Sequence, residues 1–398
     1  MKTTLINNCL TFQPEGRIDS NNAPAVEQEI MAALNETPDV DVVMDAEKLE
    51  YISSAGLRVL LMLLESVKKS LTVINVSPEV YDIFEVTGFS KLMDVKKRLR
   101  EISVEGCDEI GSGAYGRVYR IDPETIAKLY APSVDLAVVE RERDISQKAF
   151  LMGIPTAISY DVVKCGDCYG VVYELLDAQT LAQVITETPD RLTEITVRCA
   201  GLLKGLHRIV PGANSGLENR KDEFLGWIDS ISEYVTAAEA DTLRNFIRSV
   251  PDRDTLLHGD FNFKNIMLRH DEFQIIDIGD AAIGHPVFDL GMMMQVYVIM
   301  PEGLGREKGE AEVKRMLGFE PAKAAEVWHT LCGAYFGLSS SEEIDAMTAK
   351  LMPYGILWNL YHRINRARGD SGMMSMLVDK ILRGELLPAI RQSQPLDF

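Results

Sequence analysis

Two domains of different class are predicted. Residues 1–100 read as an α/β unit with helices packed on a sheet. Residues 101–398 read as an α+β unit of two lobes: an antiparallel β small lobe at 105–177 and a helical large lobe at 178–398. Three observations carry this. The first hundred residues alternate β-branched runs with helical patterns. Gly111 to Val118 then reads as strand–turn–strand, followed by further short strands. Beyond residue 178 the apolar spacing turns helical. The boundary falls near residue 100, where the basic KKRLR gives way to the small, polar SVEGCD. No long Gly/Ser- or Pro-rich linker follows.

Length and composition narrow the class. A chain of 398 residues has room for two or three domains with cores that need no staples. At 46% apolar and 25% charged it reads as globular rather than disordered or membrane-embedded. A net charge of −19 argues against nucleic acid or an anionic membrane as partner, because nothing offsets phosphate repulsion. Most of that charge, −15, falls on residues 101–398; it suits a cationic substrate or serves solubility alone. No apolar run is long enough to span a bilayer, and the N-terminus lacks the pattern of a signal peptide. Six cysteines in this length suggest a reducing, cytoplasmic setting. Cys165 and Cys168 flank a Gly-Asp pair between β-branched runs, which reads as a hairpin turn; a lone C-x-x-C is a weak metal signal.

In the first domain, Val40 to Met44 and Leu71 to Val76 read as strands. Between them Leu57, Leu60, Leu61, Leu64 and Val67 recur at helical spacing. A second helix follows Pro78 through PEVYDIFEVTGFSKLM. Ser53 and Ser54 stand where a strand gives way to a helix. A serine there caps the first turn by accepting from its free N–H groups. The same free amides and dipole would also favour a phosphoserine. The segments GRIDSNNAPAVEQEI, VDVVMDAEKLEYISSAGLRVLL and LTVINVS resemble the STAS domain of anti-sigma factor antagonists, over residues 3–100. That resemblance implies an anti-sigma factor or other regulatory protein as partner, with Ser54 as the site of possible phosphorylation. Ser53 stands where the family carries aspartate, a departure from its turn pattern.

The second domain opens with Gly111, Ser112, Gly113, Ala114, Gly116 and Val118 in a G-x-G-x-x-G-x-V pattern. Dinucleotide folds use such glycines too, but there the turn opens a helix, whereas Val118 continues into VYRI. Lys128 follows on a strand-like run, placed to pair nucleotide phosphates. A helix beginning VERERD offers Glu140 or Glu142 to hold it; the two point about 200° apart, so only one can. The linker Tyr173 to Ala178 would bring backbone to an adenine, with Glu174 and Leu176 at the site. Beyond it, Ile195, Cys199, Leu202, Leu206 and Ile209 form one helical face that ends by His207, which reads as a packed polar residue or a ligand.

Then comes TLLHGDFNFKNIMLRHDEFQIIDIGDAAIGHPVFDLG. Asp260 and Asn265 lie five residues apart, and an apolar run ends in Asp277. Phosphoryl transfer needs one carboxylate to orient and deprotonate the attacking hydroxyl. It also needs an amide oxygen and a second carboxylate on the metal, a spacing that H-R-D-x-x-x-x-N and D-F-G supply. A polar turn, a strand and an Asx-rich loop would give the same letters.

Taken in order, these elements resemble the aminoglycoside phosphotransferase and choline kinase group of the protein-kinase-like fold, over residues 105 to about 375. The resemblance implies a phosphotransferase using ATP and Mg2+. It makes Glu142 the partner of Lys128, Asp260 the catalytic base, Asn265 and Asp277 the metal ligands, and His258 and Asp289 the support of the catalytic loop. Gly259 in place of the H-R-D arginine, and the short run from Asp277 to Asp289, point to a small-molecule acceptor rather than a protein. The helical tail from Met300 would close the acceptor pocket; its aromatic residues suit a core or a cage for a cation. The alternative reading is regulatory: a kinase-like unit that senses nucleotide or phosphorylates Ser54.

Overall fold

The computed structural model describes every residue of the chain except 38, 69, 114, 115, 213 and 214. Two compact units emerge, Met1–Ser103 and Val104–Phe398.

In the first unit the strands are ordered Lys2–Ile6, Cys9–Gln13, Asp41–Asp45, Leu71–Val76, Asp94–Lys97. The first two form an antiparallel hairpin and the later neighbours pair in parallel. Parallel neighbours need crossovers, which the helices Ala23–Glu36, Ser54–Ser66 and Pro78–Thr87 supply. Phe12, Met44 and Val73 from the sheet and Ile30, Leu60, Leu63 and Phe84 from the helices are fully buried together. The second predicted helix stops earlier than its apolar pattern: Gly88, at φ 81°, ends it at Thr87. At the serine turn, Ser53 is the cap, and its hydroxyl accepts from the Ala55 and Gly56 amides. Ser54 is the first helical residue and is exposed. Gly56 is fixed by packing, since a Cβ there would lie 2.8 Å from the Ile18 carbonyl oxygen.

In the second unit five antiparallel strands are bonded in the order Ser159–Cys165, Cys168–Glu174, Thr125–Tyr130, Gly116–Arg120, Asp108–Ser112. Cys165 and Cys168 pair across the hairpin and flank its Gly166-Asp167 turn. The helix Leu136–Leu151 packs on this sheet. The rest is helical, dominated by Leu192–Leu206, Ala324–Phe336 and Ser341–Arg366 around one large core. On Leu192–Leu206 the buried stripe is Ile195, Cys199, Leu203 and Leu206; Leu202 is only half-buried and Ile209 lies beyond the helix end. The tail's Trp328, Tyr335, Tyr354 and Trp358 are all buried, which makes them core.

Two small ladders place the polar loops. Thr255–Leu257 pairs with Ala282–Gly284, and Ile266–Arg269 pairs with Glu272–Ile275. The loops 258–265 and 276–281 are thereby held side by side, and the Ile276 amide donates to the Asn265 carbonyl at 2.9 Å.

Candidate active site

A cleft of about 3070 Å³ runs between the five-stranded sheet and the helices of the second unit. Single-ligand pockets are roughly 300–1,000 Å³, so this one has room for two molecules. Gly111, Ser112, Gly113, Gly116, Val118, Lys128, Glu142, Glu174 and Leu176 all line it, as do Asp260, Asn265 and Asp277. Ala114 lies outside the described residues.

The glycine turn joins Asp108–Ser112 to Gly116–Arg120, so it is a hairpin and not a helix start. Its glycines serve different ends. A Cβ on Gly116 would come 2.0 Å from the Leu129 carbonyl oxygen, so strand packing alone demands glycine there. A Cβ on Gly113 would meet nothing nearer than 4.0 Å, which leaves its backbone open to the cleft.

Lys128 Nζ donates to Glu142 Oε1 at 2.7 Å and to Asp277 Oδ1 at 2.5 Å. Burial works against its charge, but Asp277 and Glu142 outweigh it and hold the ammonium well above the ordinary lysine pKa. Glu142 gets there by crossing Gly279, where a Cβ would stand 2.3 Å from Glu142 Cγ. The Tyr173 hydroxyl steadies Glu142 from the linker strand at 3.3 Å.

Asp260 is the most perturbed carboxylate of the site. Burial, then the charges of Asp277 and Asp280, push it up to about 7, against hydrogen bonds from Asn262 and Asn265. Asn262 Nδ2 donates to Oδ1 at 3.0 Å, and Asn265 Nδ2 to Oδ2 at 2.9 Å. The Asn265 amide oxygen is therefore the atom it can offer to a cation. Asp277 sits in the left-handed region at φ 56°, opening the short turn Ile278–Asp280. Asp280, missed in the sequence, is also raised, chiefly by burial.

The loop 258–265 hangs on Asp289, which is fully buried. Its carboxylate accepts from the His258 amide at 2.8 Å and the Gly259 amide at 2.9 Å. His207 Nε2 lies 3.1 Å from the same carboxylate, and the His207 Nδ1 lies 2.7 Å from the Tyr335 hydroxyl. His207 is thus a packed polar residue with a definite task. Burial holds the His258 imidazole below its ordinary pKa, and its Nδ1 accepts from the Asp260 amide at 3.2 Å.

Hard oxygen donors suit magnesium, which usually takes one or two protein groups and fills its remaining positions with water and phosphate. Among the described residues no three His, Cys, Asp or Glu side chains form a metal cluster. Asp277 and the Asn265 amide oxygen are the two groups that could serve as donors. The crowding of Asp260, Asp277 and Asp280 is a repulsion that a divalent cation relieves, so these residues fit one.

A family model described as "Phosphotransferase enzyme family" matches residues 106–326, more than half of the chain. The STAS domain model matches residues 1–102. The chain is similar to a putative anti-sigma factor antagonist, BtrV, of Bordetella bronchiseptica, at 36% identity over 100 residues, 24% of this chain and 85% of that protein. Among solved structures it is similar to a gentamicin complex of an aminoglycoside phosphotransferase, with 16% identity, TM-score 0.44, and 79% of this chain and 96% of that chain covered. It is also similar to an amicoumacin kinase with AMP-PNP and Ca2+, with 14% identity, TM-score 0.44, and 77% and 94% covered. No described helix is long and apolar enough to cross a membrane.

Proposed function

The chain belongs to the phosphotransferase enzyme family and carries a STAS domain at its N-terminal end, and from that premise we propose that it transfers the γ-phosphate of ATP, with Mg2+, to a hydroxyl of a small molecule. One observation carries the reading. Asp260, raised to about 7 and gripped by two amides, lies in the same cleft as the triad Lys128–Glu142–Asp277. In this reading Asp260 positions the acceptor hydroxyl and takes its proton at a carboxylate oxygen. Lys128, held by Glu142, orients the α- and β-phosphates. Asn265 and Asp277 would hold the metal. Bound there, the cation neutralises charge on the phosphates. Gly111, Ser112 and Gly113 cover the phosphates, and Glu174 and Leu176 flank the base.

Two features support a small acceptor. Asp277 is followed at once by a one-turn helix, a three-residue strand and the helix Val287–Met294, which leaves no segment long enough to dock a peptide. Beyond residue 300 the cleft lining also carries seven Arg and Lys against five Asp and Glu, a small surplus of cations. Arg363 and Lys380 share Glu307, and Arg366 has no carboxylate within ion-pair distance among the described residues. The acidic bias of the sequence therefore does not carry over to this part of the lining. We favour a neutral or anionic acceptor over a polycation.

The test is ADP release and product mass with Mg–ATP and a panel matched for hydroxyls but not charge: glycerol, glycerate, choline and an aminoglycoside. Transfer to the cationic members alone would remove the charge argument. Full turnover by Asp260→Asn would remove the mechanism.

Gly279→Ala is expected to push Glu142 off Lys128, because the clashing atom belongs to a side chain that can move. Losing a hydrogen bond between charged groups should weaken AMP-PNP binding about tenfold or more. Titration calorimetry checks it, and unchanged affinity would free Lys128 from any need of Glu142.

For residues 1–100 the resemblance to an anti-sigma factor antagonist supports a regulatory partner. Ser54, exposed at a helix start, is open to modification. Intact mass after incubation with Mg–ATP decides whether the chain phosphorylates itself there. One added phosphoryl group on Ser54, absent in Asp260→Asn, would make regulation the primary role.

A further inference from the structure

We propose that Arg220 is a positioning residue for phosphoryl transfer, clamping the metal-side turn 277–280 against the catalytic loop. The proposal rests on the phosphotransfer reading above.

Arg220 is the first residue of the helix Arg220–Ser230. A cation there faces the positive end of the helix dipole, so helix formation does not explain it. Its side chain is only 6% exposed, and its reach does explain it. Nη1 donates to Glu223 Oε2 at 2.6 Å, and Nη2 donates to the Asp280 carbonyl at 2.5 Å. The guanidinium carbon lies 5.3 Å from the centre of the Trp358 ring. Glu223 is itself fixed, because the Tyr361 hydroxyl donates to its other oxygen at 2.7 Å. One planar fork therefore joins a helix start, the long helix Ser341–Arg366 and the turn that begins at Asp277.

Gly259 is the other half of the device. Its φ is +86°, and a Cβ on it would stand 2.3 Å from the Asp280 carbonyl oxygen and 2.8 Å from Arg220 Nη2. The position where the kinase signature has arginine is thus emptied, and a guanidinium from another element lies against it. The residue next to Gly259 is Asp260. Fixing the Asp280 carbonyl against Gly259 fixes the separation of Asp260 from Asp277. Lysine keeps the charge but cannot bridge both partners in one plane.

A buried Arg–Glu pair could instead serve stability alone. Metal affinity tells the two apart. The full chain, its Arg220→Lys variant and its Arg220→Met variant are titrated with Mn2+ in the presence of AMP-PNP, with free Mn2+ read by electron paramagnetic resonance. A thermal scan of each shows which are folded. Supporting groups around a metal site typically matter by 10–100-fold. The Mn2+ dissociation constant should rise about tenfold or more in Arg220→Met and by less in Arg220→Lys. AMP-PNP binding without metal should change little, since Lys128 and the glycine turn are untouched. Arg220→Lys carries the test if Arg220→Met does not fold. Folded variants that bind Mn2+ as tightly as the wild type overturn the clamp and leave phosphoryl transfer standing. A wild type that binds no Mn2+ with AMP-PNP overturns both.

Discussion

Asp260→Asn is expected to end phosphoryl transfer and yet to stabilise the metal-free protein at pH 8. The carboxyl titrates near 7 in the folded chain, against 3.8 as its ordinary value, because burial and then Asp277 and Asp280 disfavour its charge. The folded state therefore binds a proton that the unfolded state releases. That contribution to stability is complete below about pH 4 and is lost as pH rises through about 7. Above that, an ionised Asp260 weakens the fold by about 2 kcal/mol, with the proton shift discounted for the residue's partial exposure. Asparagine removes that charge. It keeps one acceptor oxygen for Asn262 or Asn265 and loses the other bond, at about 1 kcal/mol. The first effect wins at pH 8 and vanishes near pH 3, below the unfolded pKa of 3.8. Thermal melts at the two pH values check it; equal melting temperatures at pH 8 would mean that Asp260 is not strained by its neighbours. Activity moves the opposite way, by about 10²–10⁴-fold, the usual range for a general base. In the wild type the rate should rise with pH through a single ionisation.

The fold class was legible because both units announce themselves locally. Leu71–Val76 is a run of β-branched residues, and the Gly111–Val118 turn is framed by strand formers. The site was legible to the extent that its residues lie in short motifs whose spacing reflects one chemical task. Arg220, Glu223 and Tyr361 were not legible, because they act from two helices that share no motif with the loops they hold. His207 could be seen but not assigned, since its partner Asp289 arrives from another helix. Periodicity also misjudged detail. The stripe on Leu192–Leu206 uses Leu203 rather than Leu202, because the neighbouring helix Ala324–Phe336 sets which face is covered. Net charge did not reveal the lining of the cleft. A sum over residues 101–398 says nothing of where Arg363, Arg366 and Lys380 stand.

Asp289→Leu should be among the most destabilising single changes in the second unit. The replacement has similar bulk but accepts no hydrogen bond. It would leave the His258 amide, the Gly259 amide and His207 Nε2 facing apolar surroundings. Each buried donor without a partner costs about 1–3 kcal/mol, and relaxation lets some find others, so the expected loss is about 3–5 kcal/mol. Against a typical total of about 5–15 kcal/mol, that is a large share. Urea denaturation at pH 7 should show a much lower midpoint with an unchanged slope. The pH dependence has the opposite sign to that of Asp260. Burial would raise Asp289, but the hydrogen bond and charge of His207 outweigh it, and the folded pKa lies below 3.8. Its contribution is present above about pH 4 and is lost as acid protonates the folded form. The wild type should therefore lose more stability than Asp289→Leu between pH 5 and pH 2. Two aspartates of one loop system thus respond to acid in opposite directions. Asp260 shares its surroundings with other carboxylates, whereas Asp289 is ringed by donors. If Asp289→Leu unfolded at the wild-type midpoint, the loop would be held by its strand ladders alone, and Asp289 would have no structural task.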